Sequence, residues 1–204
     1  MRRDYVRRTG GSEGKREMVL KTKGMIFCAL FAALTGVGGL IAIPLPFTPV
    51  PITLQTFFTF LAGAILGKYL GALSQLIYLL LGVVGIPVFA KGSSGIGILL
   101  GPTGGYLAGF VPAAFLVGWI LERKEKPPLG LIFLAMVVGL LAIYLPGVGW
   151  LMWVARMNLV KALLLGALPF LPGDGIKIVL GAFIVKRAIS LGKREKRERE
   201  KWDQ

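Results

Sequence analysis

The 204-residue chain contains no histidine and one cysteine, Cys28. Without histidine there can be no Ser-His-Asp or Cys-His nucleophilic site and no Cys/His metal cluster, and one cysteine cannot close an internal disulfide. Acidic residues are also scarce: ten Asp and Glu stand against 24 Lys and Arg, for a net charge of +14. A Walker A loop is missing, because Gly67-Lys68 has Ala62 where the first glycine is needed and Tyr69 where a hydroxyl should follow. Energy from ATP would have to enter through another chain. The largest deficit is charge in the middle of the sequence. Between residues 24 and 185 there are eight Lys and Arg and three acids, Glu122, Glu125 and Asp174. Charged residues make up 17% of the whole chain, against about 25% in soluble domains. With 55% hydrophobic residues and a mean hydropathy of +0.73, a soluble core is ruled out. The chain is an integral membrane protein.

The charge that is present gathers at the ends. Residues 1–23 hold eight Lys and Arg against three acids, and residues 186–204 hold eight against four. Residues 1–23 read as a basic cytoplasmic tail and 190–204 as a charged cytoplasmic tail, with the membrane domain at 24–189. The tails lack interleaved aromatics and flank apolar spans, so they suit anionic headgroups or topology determination rather than nucleic acid. No short apolar region with a cleavage site opens the chain, so no signal peptide is expected. Residues 1–17 look unlike anything structural, and Met18 is an alternative start.

A helix needs about 20 residues to cross a hydrocarbon layer of ~30 Å. Gly24 to Ile43 is the first such run. Pro44, Pro46, Pro49 and Pro51 then forbid helix and stiffen the connection. Leu54 to Gly67 reads as a short second span and Leu70 to Val84 as the third. A glycine-rich loop follows from Lys91 to Gly97. Gly104 to Leu121 is the fourth span and Leu129 to Leu145 the fifth. Pro169 and Pro172 divide the final apolar stretch into a helical segment at 155–168 and a sixth span from Pro172 to Ile189, with Pro172 near the first helical position. The expected fold is therefore all-α and membrane-integral: six transmembrane helices with a partly buried helical segment before the last span. With both termini inside, tails and inner loops carry 20 of the 24 Lys and Arg, as the positive-inside rule expects.

Asp174 is the residue that most needs explaining. An ionisable group at membrane depth is costly unless it is paired or faces a polar cavity. Lys177 lies three residues on, on the same helical face. Asp174 could instead cap the sixth helix, with Lys177 as its partner. Gln55 follows the proline loop and can both donate and accept; an interhelical hydrogen bond is the plainer reading. Thr53 and Thr56 beside it are discounted, since helical threonines commonly bond their own backbone. Ser74 and Gln75 read as packing glue. Lys91 lies in the glycine loop, where exposed N–H groups could receive an anion. Ser74 and Gln75 belong to the inner half of the third span, whereas residues 53–55, 91–95 and 174–177 fall on the outer side, beside Phe47, Tyr78, Phe89, Tyr106 and Phe170. They suggest an outward pocket for a small ligand with hydrogen-bonding and anionic ends. Trp150 and Trp153 read as an outer interfacial belt. Ala29 and Ala33, like Gly63, Gly67 and Gly71, have the spacing of close helix contacts, and the alanine face could dock another subunit.

Five segments stand out together: Pro46-Phe47-Thr48-Pro49-Val50-Pro51-Ile52-Thr53-Leu54-Gln55-Thr56, Tyr78-Leu79-Leu80-Leu81-Gly82, Gly85-Ile86-Pro87-Val88-Phe89, Gly101-Pro102-Thr103-Gly104-Gly105-Tyr106, and Pro169-Phe170-Leu171-Pro172-Gly173-Asp174 with Lys177. In this order and spacing they resemble the BioY family, the biotin-binding S components of energy-coupling factor (ECF) vitamin transporters. The likeness runs from about residue 24 to 188. It implies a multi-pass plasma-membrane protein, both termini cytoplasmic, that captures biotin from outside. The implied partners are a transmembrane coupling protein and two ATP-binding-cassette (ABC) ATPases. The implied ligand contacts are Asp174, Lys177 and Gln55, with Lys91, Tyr78, Phe89 and Tyr106 around them. Phe47, Thr48 and Pro49 would belong to a lid, and Ala29 and Ala33 would meet the coupling subunit. No catalytic residue, metal or cofactor is expected. Biotin's ureido N–H could donate to Asp174, its carbonyl could accept from Lys177 or Gln55, and its carboxylate could meet Lys91 or Lys161. The alternatives are an S component for another small vitamin, a membrane enzyme using Asp174, or a structural subunit without a ligand.

Overall fold

The structure, a computed structural model, describes residues 22–202, with side chains through 191. Residues 1–21 of the expected 1–23 tail, and with them the alternative start at Met18, lie outside the described residues. Helix α1 spans Thr22–Leu40. It buries Cys28, Phe31, Ala32 and Thr35 and leaves Met25, Ile26, Leu30, Val37 and Leu40 exposed, so one face packs inward and the other meets lipid. The helix stops short of Ile43 because the chain turns extended there. Strand β1 (Ala42–Ile43) pairs antiparallel with β2 (Ile52–Thr53), Ala42 opposite Thr53 and Ile43 opposite Ile52. This short ladder closes the proline loop at its base, and the prolines, which cannot donate, stay outside it.

Helix α2 runs Gln55–Val83 but is broken at Gly67, whose backbone is left-handed and extended (φ 82°, ψ 178°). A straight helix would hold residues 59 and 75 about 24 Å apart and residues 55 and 78 about 34 Å apart. Instead the Thr59 hydroxyl donates to Gln75 Oε1 at 3.1 Å, and the Gln55 amide donates to the Tyr78 hydroxyl. The two arms, 55–66 and 68–83, are therefore antiparallel, and they are the expected second and third spans. Their close approach depends on glycine: a Cβ on Gly71 would stand 2.7 Å from Gly63 Cα, and one on Gly63 would overlap the Ala114 carbonyl of α4. At the turn, Glu122 Oε1 accepts from Lys68 N at 2.9 Å, and Oε2 pairs with Lys68 Nζ at 3.2 Å.

After a single 3-10 turn at Ala90–Gly92 come α3 (Ile96–Leu100), α4 (Gly104–Glu122) and α5 (Leu129–Val154). The expected end of the fifth span at Leu145 is corrected here, because α5 continues through Pro146. Proline removes one helical hydrogen bond, but in a membrane bundle neighbouring helices can cover the freed group. The acceptor that Pro146 frees is the Ala142 carbonyl, on which Gly109 of α4 packs with no Cβ between them, as Gly105 does on the Pro146 carbonyl. Helix α6 (Leu159–Gly166) is capped by Asn158, whose Oδ1 accepts from Lys161 N at 2.9 Å, and it buries only Ala162 and Gly166. It is bent by 52° from α7, Leu171–Trp202, whose helix continues through most of the charged C-terminal segment. Helix α1, the two arms of α2, α4, α5 and α7 make six crossings. The arms of α2 are only roughly 18 and 24 Å long, which leaves the end opposite the Gly67 turn to be completed by loops.

Candidate functional site

At that end lies a cavity of about 340 Å³. The proline loop supplies Pro49, Val50 and Pro51 to its wall. The glycine loop supplies Ala90, Lys91 and Ser93, and the membrane helices supply Gln55, Tyr106, Tyr144, Asp174 and Lys177. Residues as far apart in sequence as Pro49 and Lys177 thus meet around one hollow.

Asp174 and Lys177, 3% and 8% exposed, form a buried ion pair in the first turns of α7. Asp174 Oδ1 accepts from Lys177 Nζ at 2.8 Å and from the Thr56 hydroxyl at 3.1 Å, and Oδ2 accepts from the Tyr144 hydroxyl at 2.6 Å. Lys177 Nζ also donates to the Thr53 carbonyl at 2.6 Å and to Thr56 Oγ1 at 3.2 Å. The ammonium has three protons, and all three have partners. The carboxylate is thus held by three different helices rather than by its own helix's N-terminal amides, so the capping alternative is not what the side chain does. Its place in the first turn still sets its charge favourably against the helix dipole. The lysine also ties the foot of the proline loop, through Thr53, to α7.

Gln55 lies on the same wall. Its Oε1 accepts from the Thr53 hydroxyl at 3.1 Å, and its amide N–H reaches Tyr78. Tyr78 and Phe89 were expected around the ligand, but both stand behind the lining. Phe89 packs its ring onto Gly82, where any Cβ would overlap it, and meets Tyr78 edge-on with centroids 5.6 Å apart. They support the wall that Gln55 presents. From the proposed lid, Pro49 lines the cavity; Thr48 is buried and accepts from Val50 N at 3.3 Å, while Phe47 points outward, 56% exposed. Lys91 sits at the rim in a left-handed conformation (φ 61°), and among the described residues no acid pairs with it. With Asp174 and Lys177 neutralising each other, Lys91 leaves the cavity positive. Lys161 is exposed and does not line it.

Two residues that bond Asp174 are not legible as site residues in the sequence. Thr56 reads as a backbone-bonding threonine, yet it bridges Asp174 and Lys177. Tyr144 gives no signal beyond a hydroxyl in an otherwise aliphatic turn of the fifth span. Trp150 also differs from a simple belt residue: its indole N–H donates to the Gly101 carbonyl at 2.9 Å and steadies the loop ahead of α4. Trp153, beside it, is exposed. Ala29 and Ala33 lie on the exposed face of α1.

The BioY family model matches residues 12–194. The chain belongs to the BioY family. Among its relatives, a probable biotin transporter BioY of Pyrococcus horikoshii is 47% identical over 169 residues, covering 82% of this chain and 97% of the relative. The biotin transporter BioY of Thermotoga maritima is 44% identical, covering 80% and 94%. Among solved structures, the S-component for biotin from an ECF-type ABC transporter superposes with a TM-score of 0.78 at 32% identity, covering 83% of this chain and 92% of that one. This BioY chain carries its pocket residues on the same six-helix membrane frame that its sequence led one to expect.

Proposed function

We propose that this chain is the biotin-capturing S component of an ECF-type uptake transporter, with the cavity as its binding site. Its relatives are transporters rather than enzymes, so the reading of Asp174 as a catalytic acid or base is dropped. The observation that carries the proposal is the buried Asp174 carboxylate beside a cavity whose size falls within the roughly 300–1,000 Å³ of small-molecule sites. A ureido N–H of biotin donates to Asp174, the second N–H of the Gln55 amide donates to the ureido carbonyl, and the apolar ring lies against Tyr106, Phe110 and Ile143. Lys91 at the rim meets the carboxylate tail. The proline loop from Pro44 to Thr53 closes over the ligand.

In the cell the protein sits in the plasma membrane with both termini cytoplasmic, the orientation that places most Lys and Arg inside. The exposed face of α1 with Ala29 and Ala33 docks a transmembrane coupling protein, and two ABC ATPases supply the energy. The test is direct. Titrated with biotin in detergent, the unmodified protein binds, and Asp174→Asn weakens binding ten-fold or more by removing a charge-assisted acceptor. A calorimetric trace with no binding by the unmodified protein overturns the proposal. A competition panel of other vitamins separates biotin from the alternative of a different small vitamin.

A further inference from the structure

We propose that Tyr144 is a positioning residue that orients the Asp174 carboxylate and so decides which N–H donor of a ligand the pocket accepts. The inference rests on the biotin reading above and goes beyond it, since neither the motifs nor the relatives' names single out this residue.

An ionised carboxylate offers about four acceptor positions. On Asp174, Lys177 and Thr56 occupy Oδ1, and Tyr144 occupies one position on Oδ2 at 2.6 Å. One acceptor position is left, on the oxygen that Tyr144 holds, and both residues line the cavity. The tyrosine's single proton is committed to the carboxylate, so in this corner its oxygen can accept but cannot donate. The corner therefore receives an N–H and turns away a carbonyl.

The phenol is itself held in place. Tyr106 meets the Tyr144 ring edge-on, with centroids 6.4 Å apart and planes at 81°. Tyr106 in turn donates to the Gly166 carbonyl at 2.8 Å. Its ring and hydroxyl fill the space where a Cβ on Gly147 or Gly166 would stand. Helices α4, α5 and α6 thus fix the phenol, and the phenol fixes the carboxylate of α7. A group held at both ends discriminates between donors far better than a free one, because a mismatched ligand leaves a buried acceptor unpaired.

The experiment uses biotin and its two regioisomers methylated on one ureido nitrogen or the other, titrated against the full-length unmodified protein and Tyr144→Phe. The unmodified protein should reject the isomer methylated at the nitrogen facing Asp174 about a hundred-fold more strongly than the other isomer. Tyr144→Phe should weaken biotin about ten-fold and shrink the ratio between the isomers to about ten or less. A purely structural role would weaken all three ligands alike and leave the ratio unchanged, and that result overturns the inference. So does an unmodified protein that treats the two isomers equally. Loss of biotin binding by the unmodified protein overturns the functional reading along with it. Competition of the same compounds against biotin uptake in whole cells reads the same ratio if the variant does not survive purification.

Discussion

At the scale of single residues, the Asp174–Lys177 pair balances a desolvation cost against mutual attraction. Each charge is tolerated because the other is there, and because Thr56, Tyr144 and the Thr53 carbonyl complete the hydrogen bonds. Removing one partner leaves an uncompensated buried charge. Lys177→Met should therefore cost about 3–5 kcal/mol and lower the melting temperature in detergent. The double variant Asp174→Asn with Lys177→Met should recover most of that stability and still fail to bind biotin. Thermal unfolding followed by tryptophan fluorescence, beside calorimetric titration, checks both halves. A double variant no more stable than Lys177→Met would mean that the pair is not an electrostatic unit. Lone charges in an apolar run could be recognised in the sequence, because the bilayer penalises them wherever the fold puts them. Thr56 and Tyr144 could not, because a threonine or tyrosine in a membrane helix is ordinary until its neighbours are known.

At the scale of elements, the α2 hairpin shortens two crossings and so makes room for the pocket. Gly67 carries the turn with a backbone (φ 82°) that side chains disfavour, and a Cβ there would also meet Glu122 Oε1. Gly67→Ala should cost of order 1–3 kcal/mol. Glu122→Gln, at an ion pair nearly half exposed on the acid side, should cost less than about 1 kcal/mol. Melting curves of the two variants rank the effects; an equal shift would show that the ion pair rather than the backbone sets the turn. The boundaries of the two arms were legible in advance from the apolar runs flanking Gly67-Lys68-Tyr69. The end of α5 was not. Pro146 reads as a stop by local rules, and only the close packing of Gly105 and Gly109 of α4 on the carbonyls of Pro146 and Ala142 explains why the helix passes through it. The short helix α3 was equally hidden within a glycine-rich run.

At the scale of the whole molecule, the two faces of α1 differ in what they meet. One packs into the bundle, where Thr35 accepts from the Gln75 amide at 3.3 Å, and the other exposes Ala29, Ala33 and a row of large apolar residues. A surface flattened by alanines suits a close helix contact. Ala33→Trp should leave biotin affinity within two-fold of the unmodified protein, because Ala33 is exposed and does not line the cavity. It should abolish co-purification with the coupling protein. Retained assembly together with unchanged binding would place the docking surface elsewhere.

The sequence by itself determined that the chain lies in a membrane, where most of its crossings fall, and which buried charges need a reason. Those properties follow from transfer free energy summed along the chain, which depends on composition and spacing and not on the partners each residue meets. Only the tertiary structure decided that Thr56 and Tyr144 join Gln55, Lys91, Asp174 and Lys177 around one hollow, and that Tyr78 and Phe89 stand behind it. Such placement comes from helices crossing at glycine contacts and from hydrogen bonds between segments far apart in the chain. These are properties of pairs, which no single position carries.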